Sequence, residues 1–574
     1  MTSFEIERVP FDLQELSIRA TADSRLGNWP VVYALDGEGA VYVGESLNAA
    51  ARLKQHLKSG DERKQQLRSA RIVLDPTFNK SVCLDLESFL IQMFAGDGTF
   101  TVLNRNEGIT NADYYNRADY QPTFKAVFDK LRDEGLFTRS IPSIQNSDLF
   151  KLSPFKALNT DQAAAIEEIL EALLTDLASG ASSTSVVEGS PGTGKTVIAI
   201  FLIKLLRDIA TTAPDEVIEG DSFFSDFFTS GYRQLLEGRR IGLVVPQQSL
   251  RDSIRNVFKR TPGLEPSMVL TPFEVGASTV KYDVLIVDEA HRLNQRANQP
   301  SGPLNKRFAE NNERLFGADD LSTTQLDWIR AQSNHQILLF DSAQSVRPAD
   351  LPASAQRAVI ERAKTEHRHH RLASQMRVRA GDDYIGYVRR MLTADPPVPQ
   401  RFEGYDLRFF DDVGEMVSAV RQRDQEHGLA RLVAGYAWKW VSKKDRSRSD
   451  VTIGSHSFRW NSTATDWINS PGSLDEVGSI HTVQGYDLNY AGVMIGPDLR
   501  WDESTHRIAF DRTHYFDKKG KENNPKLGVA YSDDDLLTFV RNIYAVLMTR
   551  GIRGTYVYVC DTALREHLRQ FFVA

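Results

Sequence analysis

The sequence predicts an α/β protein: a small α+β domain at the N-terminus, then two α/β domains in tandem, each on a parallel sheet. Three observations predict it. From residue 159 onward short apolar runs alternate with helical stretches, an alternation that builds parallel sheets covered by helices on both faces. The series runs twice, first at 186–189, 241–246, 283–288 and 336–341, then from about 405 at 407–410, 431–438, 478–483, 491–496 and 555–560. Ahead of both, residues 31–45 read as two short strands joined by Asp36-Gly37-Glu38-Gly39, a hairpin signal.

The elements follow in order. A helical stretch at 47–58 and a strand at 70–75 come after the hairpin. Over 82–95, Leu84, Glu87, Leu90, Ile91 and Phe94 recur at spacings of three and four, the period of a helix face. Glu87 therefore stands in an apolar stripe, where a carboxylate is costly unless paired or bound to metal. The polar, serine- and proline-bearing stretch 141–155 reads as a linker. The expected domains are 1–140, then 156–355 and 356–574. The polar stretches 294–320 and 500–530 read as insertions or long loops.

Composition narrows the class. Hydrophobic residues make up 41% of the 574 and charged residues 25%, the balance of an ordinary soluble protein. No apolar run approaches the ~20 residues that cross a bilayer. The acidic start lacks the basic, then apolar, order of a secretion signal. Cys83 and Cys560 are too few and too far apart for a disulfide framework or a zinc site. Two buried thiols in a reducing cytoplasm is the expectation, with no membrane partner. A net charge of −7 excludes general phosphate attraction, so any nucleic-acid binding must be local.

Gly189-Ser190-Pro191-Gly192-Thr193-Gly194-Lys195-Thr196 fits G-x-x-x-x-G-K-[ST] in full, after a strand and before an apolar helix. Glycines let backbone N–H groups close on phosphates, and the helix N-terminus favours the anion. The pattern predicts an ATP site in which Lys195 contacts the β and γ phosphates and Thr196 binds Mg2+. Asp288-Glu289-Ala290-His291 ends the strand 283–288, at the crevice where such sheets take ligands. Asp288 is expected to hold magnesium, and Glu289 to orient or deprotonate the attacking water.

These residues resemble superfamily 1 helicases, and most nearly the Schlafen-type helicase domain found in bacterial proteins, over about 155–574. The resemblance implies two RecA-like domains. Asn159-Thr160-Asp161-Gln162 resembles the leading motif, in which Gln162 reads adenine. Leu339-Phe340-Asp341-Ser342-Ala343-Gln344 resembles the motif that links the γ-phosphate, through Gln344, to the nucleic-acid groove. Gln375-Met376-Arg377 resembles one whose arginine reaches the phosphates. His481-Thr482-Val483-Gln484-Gly485-Tyr486-Asp487 resembles the motif spanning ATP and the strand, through Gln484 and Gly485. Tyr544 to Gly551 resembles the last motif, with Arg550 as arginine finger. Arginine forks suit charge on a transferring phosphoryl group. Arg377 and Arg550 on the second domain and the phosphate loop on the first imply domains drawn together by ATP and released by hydrolysis.

At the N-terminus, Tyr33 and Tyr42 lie on paired strands, and Arg52 and His56 are four apart on one helix face. With Gly44, Glu87 and Asn104 the set resembles the GIY-YIG endonuclease domain over about 30–115. Val31 stands where that family has glycine, and the loop between the triplets is short. The resemblance implies phosphodiester hydrolysis with Mg2+ on Glu87, a tyrosine taking the water's proton and Arg52 stabilising the transition state.

Aromatic and basic residues interleave from Trp438 to Arg446, a mixture suited to single strands and also to a solvated loop. Residues 366–371 read as a basic helix face, and His514, Lys518 and Lys519 as candidates for strand contact. The combined expectation is an ATP-driven translocase or helicase coupled to a Mg-dependent endonuclease on nucleic acid, DNA ahead of RNA, in defence against foreign DNA. A repair helicase-nuclease, or an ATP-gated regulator with a non-cutting nuclease fold, are the alternatives.

Overall fold

The computed structural model describes every residue except 1–3, 59–60, 106–112, 213–222, 297–298, 300, 342–345, 376–377, 379, 381, 464–465, 484–485 and 574. The chain forms two compact units. One joins Met1–Ala181 with Val197–Arg239 and Ser253–Val269; the other joins Ser182–Thr196, Arg240–Asp252 and Leu270–Ala574.

In the first unit, β1 (Glu5–Pro10), β2 (Val31–Gly37), β3 (Ala40–Ser46), β4 (Ser69–Leu74) and β5 (Thr101–Val102) form one sheet in the order β1-β4-β2-β3-β5. Strand β1 was not expected from sequence. The β2–β3 hairpin turns through two residues, Glu38 at φ 45° and Gly39 at φ 81°. Two successive positive φ values match the twist of paired strands. Because side chains alternate across a sheet, Val32, Ala34, Val41 and Val43 face the helix Lys80–Asp97. Val31, Tyr33 and Leu35 face the helix Ala49–Lys58.

The stretch expected as a linker holds two short helices, Ile141–Asn146 and Asp148–Lys151. Ile144 and Phe155 join the core against helix Lys80–Asp97. A Cβ on Gly96 would lie 2.7 Å from Ile144 Cγ2 and 2.9 Å from Phe150 Cβ, so glycine permits the approach. Segments from the expected first α/β domain cluster here too. Arg105 Nη1 donates to Asp208 O at 3.0 Å, Ser253 Oγ to Asp148 Oδ2 at 2.5 Å, and Arg260 Nη1 to Gly98 O at 2.6 Å.

The second unit has two lobes. The first lobe's sheet comprises β6 (Ser183–Gly189), β7 (Ile241–Val244), β8 (Val269–Leu270), β9 (Tyr282–Val287), β10 (Ser333–Phe340) and β11 (His369–Leu372), ordered β11-β6-β10-β9-β7-β8. The registered pairs among β11, β6, β10, β9 and β7 are parallel. Strand β11 corrects two expectations. Residues 369–372 are strand rather than helix, and the first lobe runs past 355. His369 Nε2 meets Glu188 Oε2 at 3.0 Å across β11 and β6. The expected loop at 294–320 contains the helix Gly302–Phe316.

The second lobe's sheet comprises β12 (Asp406–Phe409), β13 (Ala430–Ala434), β14 (Val451–Ile453), β15 (His456–Trp460), β16 (Glu476–Ser479), β17 (Leu488–Ile495) and β20 (Gly551–Val559), ordered β12-β20-β17-β13-β16-β15-β14. All eight residues of β17 are buried, as a strand covered on both faces requires. Among the described residues of this sheet, only the β14–β15 pairing at the edge is antiparallel. The 500–530 stretch holds a hairpin, β18 (Leu499–Asp502) with β19 (Arg507–Phe510), and a strap of short 3-10 turns. Among the described residues no helix is long and apolar enough to cross a membrane.

Candidate functional site

Strand β6 ends at Gly189, and the chain turns into the helix Lys195–Thr211. Gly192 and Gly194 hold φ 86° and 82°, which side chains resist. A Cβ on Gly189 would lie 2.5 Å from Thr193 Oγ1. Thr193 Oγ1 donates to Ser190 O at 3.0 Å, closing the loop on itself. The Lys195 ammonium donates to Gly189 O at 2.7 Å and Ser190 O at 2.9 Å, and lies 3.5 Å from Asp341 Oδ2. Pro191 O accepts from Gln375 Nε2 at 2.5 Å, so the segment just before Arg377 reaches the phosphate loop.

Thr196 Oγ1 donates to Asp288 Oδ2 at 2.7 Å. A hydroxyl and a carboxylate oxygen thus converge beside the loop, the hard donors that magnesium takes together with water and phosphate. Among the described residues no group of three or more His, Cys, Asp or Glu forms a metal cage. Burial, with Glu289 next to it, pushes Asp288 up to about 7. Burial works against charge on Glu289 as well, but His291, Lys195 and Arg292 outweigh it and hold that carboxyl below its usual range.

Glu289 has φ 50°, a left-handed conformation rare for such a residue. His291 lies beside it. Asp341 N–H donates to His291 Nδ1 at 3.3 Å, which leaves the imidazole proton on Nε2, 3.1 Å from Glu289 Oε2. Burial lowers the pKa of His291, against the pull of Glu289. Asp341 is the hub that sequence reasoning left unassigned. It meets Lys195, His291 and, at 3.7 Å, Arg389 Nη2. Its position at the end of an apolar strand, like that of Asp288, was the available signal.

Gln344, Arg377, Gln484 and Gly485 lie outside the described residues. Gln162 is buried and completes a capping box: Asn159 Oδ1 accepts from its N–H at 2.8 Å, and Asn159 N–H donates to Gln162 Oε1 at 3.1 Å. Arg550 is 1% exposed. Its Nε donates to Val546 O at 3.2 Å and its Nη1 to Tyr486 O at 3.4 Å, both in its own lobe.

In the N-terminal sheet, Tyr33 Oη lies 2.9 Å from His56 Nε2, and the Tyr42 ring meets His56 edge-on at 4.8 Å. Lys64, absent from the sequence-based set, sits 3.1 Å from His56 Nδ1 and 4.4 Å over the Tyr42 ring. An ammonium can only donate, so Nδ1 accepts and Nε2 carries the proton toward Tyr33. Burial, then Lys64 and Arg52, lower His56 to about 2. Arg52, one turn before His56, donates to Gln55 Oε1 at 2.9 Å. Asn104 clamps Val43, accepting from its N–H at 3.1 Å and donating to its carbonyl at 2.8 Å. Tyr33, Tyr42 and His56 are thus brought together, whereas the helix bearing Glu87 covers the opposite face of the sheet. The Glu87 carboxylate acts on Cys83 together with Glu45, adding to the burial that pushes that thiol up. The half-buried Glu87 carboxylate is a hard oxygen donor of the kind magnesium takes together with phosphate and water.

In the Trp438–Arg446 run, Trp438 and Trp440 pack on the second lobe's core, and Lys443 lies over the Trp440 ring at 5.6 Å. Lys439, Lys443, Lys444, Arg446 and Arg448 are exposed. His514 pairs with Asp511 at 2.9 Å and Lys519 with Glu522 at 2.6 Å.

A family model described as Schlafen group 3, DNA/RNA helicase domain, matches residues 182–561. The chain is 25% identical over 481 residues to an uncharacterized protein of Saccharomyces cerevisiae, covering 78% of this chain and 98% of that one. An arterivirus nonstructural protein 10 helicase, solved with DNA, aligns with a TM-score of 0.27 and 13% identity over 68% of this chain. The chain spans 62% of that helicase's length.

Proposed function

This chain belongs to the Schlafen group 3 DNA/RNA helicase family, and from that premise we propose that it is an ATP-driven nucleic-acid motor with a magnesium-dependent nuclease at residues 1–140. The carrying observation is that Lys195, Thr196, Asp288 and Asp341 meet at the carboxyl ends of the adjacent strands β6, β10 and β9. That is where open parallel sheets take their ligands. Incoming phosphates would replace Asp341 and the loop carbonyls as partners of Lys195. Magnesium, held by Thr196 and Asp288, neutralises phosphate charge when bound. Glu289, beside His291, orients the attacking water. Arg377 and Arg550 are assigned to phosphate from the second lobe, and Gln162 to adenine. Gln344, Gln484 and Gly485 are assigned to coupling ATP to the strand.

The Tyr42 ring is partly exposed while Tyr33 is fully buried. Tyr42 is therefore the phenol that a water can reach and the one assigned to take its proton. Arg52 is placed to stabilise charge on the phosphate. DNA is the proposed substrate, cut in the cytoplasm during defence against foreign DNA. A second reading, an ATP-gated regulator with a non-cutting fold, is favoured by one observation: the Glu87 helix lies on the sheet face opposite the tyrosines.

Purified protein incubated with single-stranded, double-stranded and forked DNA and with RNA, with and without ATP and Mg2+, tests both activities. Lys195→Ala should abolish ATP turnover; normal turnover in that variant ends the motor assignment. Glu87→Ala should abolish cutting, and unchanged cutting would remove its metal role.

A further inference from the structure

Three segments distant in sequence meet at His481, three residues before Gln484. Arg347 Nη2 lies 3.1 Å from His481 Nδ1, and His481 Nε2 lies 3.0 Å from Asp517 Oδ2. Guanidinium only donates, so Nδ1 accepts and the imidazole proton sits on Nε2, where Asp517 receives it. The series has one direction: Arg347 to His481 to Asp517.

Each member is held in place from behind. Asp350 Oδ2 accepts the backbone N–H of Val346 at 3.0 Å and of Arg347 at 3.2 Å. Asp517 Oδ1 accepts Lys519 N–H at 3.0 Å. A Cβ on Gly520 would lie 2.2 Å from Tyr515 Oη and 3.0 Å from Asp517 Oδ2, so only glycine fits at that turn. The Tyr436 ring stacks obliquely on His481 at 5.3 Å, and Tyr436 O accepts Phe516 N–H at 2.8 Å. Burial and Arg347 lower His481 to about 4, so the ring is neutral. Asp517 is ionised: burial opposes its charge, but His481 and Arg347 hold it down to about 2.

Arg347 belongs to the first lobe, six residues after Asp341; His481 and Asp517 belong to the second. The strap that carries Asp517 also touches the first lobe elsewhere. Asn524 Nδ2 donates to Arg296 O at 3.2 Å and Tyr531 Oη to Pro348 O at 3.4 Å. A partly buried hydrogen-bonded series with charges at both ends is costly to break at one member, because the others lose partners away from bulk water.

We propose that residues 511–531 form a joint between the lobes, in which Asp517, acting through His481, is a positioning residue that holds the helical turn Ile480–Val483 against Arg347. The inference rests on the motor reading. It assigns to the strap the coupling of nucleic-acid contact to ATP turnover.

The test uses the full chain. Asp517→Ala and Arg347→Gln should each lower nucleic-acid-stimulated ATP turnover at least fivefold, and the double variant should be no worse than the weaker single one, as for groups acting as one unit. Glu522→Gln, on the same strap, controls for general loosening. Spin labels at Lys306→Cys and Arg421→Cys, exposed on the two lobes, report the joint without any activity. Their distance distribution should broaden in Asp517→Ala. Losses that multiply in the double variant, or a distribution unchanged by Asp517→Ala, overturn the proposal. If the unmodified protein turns over no ATP, the motor reading falls and the label distances alone decide the joint.

Discussion

Lys64 lies between two groups of the candidate nuclease, 3.1 Å from His56 Nδ1 and 4.4 Å over the Tyr42 ring. A cation beside a phenol favours its ionised form, and one donating to Nδ1 fixes the tautomer that faces Tyr33. Lys64→Met should therefore slow cutting at neutral pH by at least about tenfold, or ~1.4 kcal/mol in barrier. Lys64→Arg should recover part of the loss. Cleavage rates on a labelled oligonucleotide read these outcomes, and an unchanged rate in Lys64→Met would remove the role. Lys64 was not legible in the sequence because its partners lie on another element, eight and 22 residues away. Tyr33, Tyr42 and His56 were legible because hairpin pairing and helix periodicity bring them to one sheet face. The same holds at the phosphate loop, where one contiguous motif and one strand end suffice, while Asp341 and His291 become partners only through the sheet order.

The loop between β13 and β14 places five exposed cations around Trp440, and its shape is fixed from beneath. Asp450, largely buried, accepts the N–H of Val441 at 2.5 Å, of Ser442 at 2.7 Å and of Trp460 at 2.9 Å. An element ordered in this way presents its charges at little entropic cost. If phosphates lie on it, Lys443→Glu, Lys444→Glu and Arg446→Glu together should weaken nucleic-acid binding and reduce its salt slope by about one per lost contact. Binding titrations at two salt concentrations measure this; an unchanged slope would make the run a solvated face. Elements buried on both faces, such as β9 and β17, were legible as continuous apolar runs. The helices at 141–151 were not, because Ser140, Pro142 and Ser147 read as breakers. Here they start helices: Pro142 stands in a first turn and Ser147 Oγ caps the next helix. Helix Gly302–Phe316 was hidden for another reason. It buries Asn311 and Asn312, and Asn312 is satisfied by Trp328 and Asp319, partners outside its own sequence.

At the scale of the molecule, the nuclease-like sheet and the segments 197–239 and 253–269 share one compact unit. Removing residues 1–140 should therefore leave a chain that aggregates or loses ATP turnover, whereas Tyr42→Phe in the intact chain should leave turnover unchanged; a soluble, active 156–574 fragment would show the sequence-based boundary to be the physical one. Stability carries a second signature of the whole, lodged at Asp498 just beyond β17. Its carboxyl is fully buried, accepts the Tyr544 hydroxyl at 2.6 Å, and is pushed up by burial to about 7. The unfolded chain releases that proton near the ordinary 3.8. Between those values the folded protein holds one more proton than the unfolded chain, so this group makes stability fall as pH rises. At about 1.4 kcal/mol per pH unit, the loss from Asp498 is bounded at about 4 kcal/mol by pH 7 and grows no further above it. Asp498→Asn removes the titration while its amide oxygen can still accept from Tyr544. The variant should gain in melting temperature over the natural protein at pH 8 and gain less than half as much at pH 5, in calorimetric scans of the full chain. Equal shifts at both pH values would mean that the carboxyl does not titrate on unfolding, and that the burial of Asp498 is balanced in some other way.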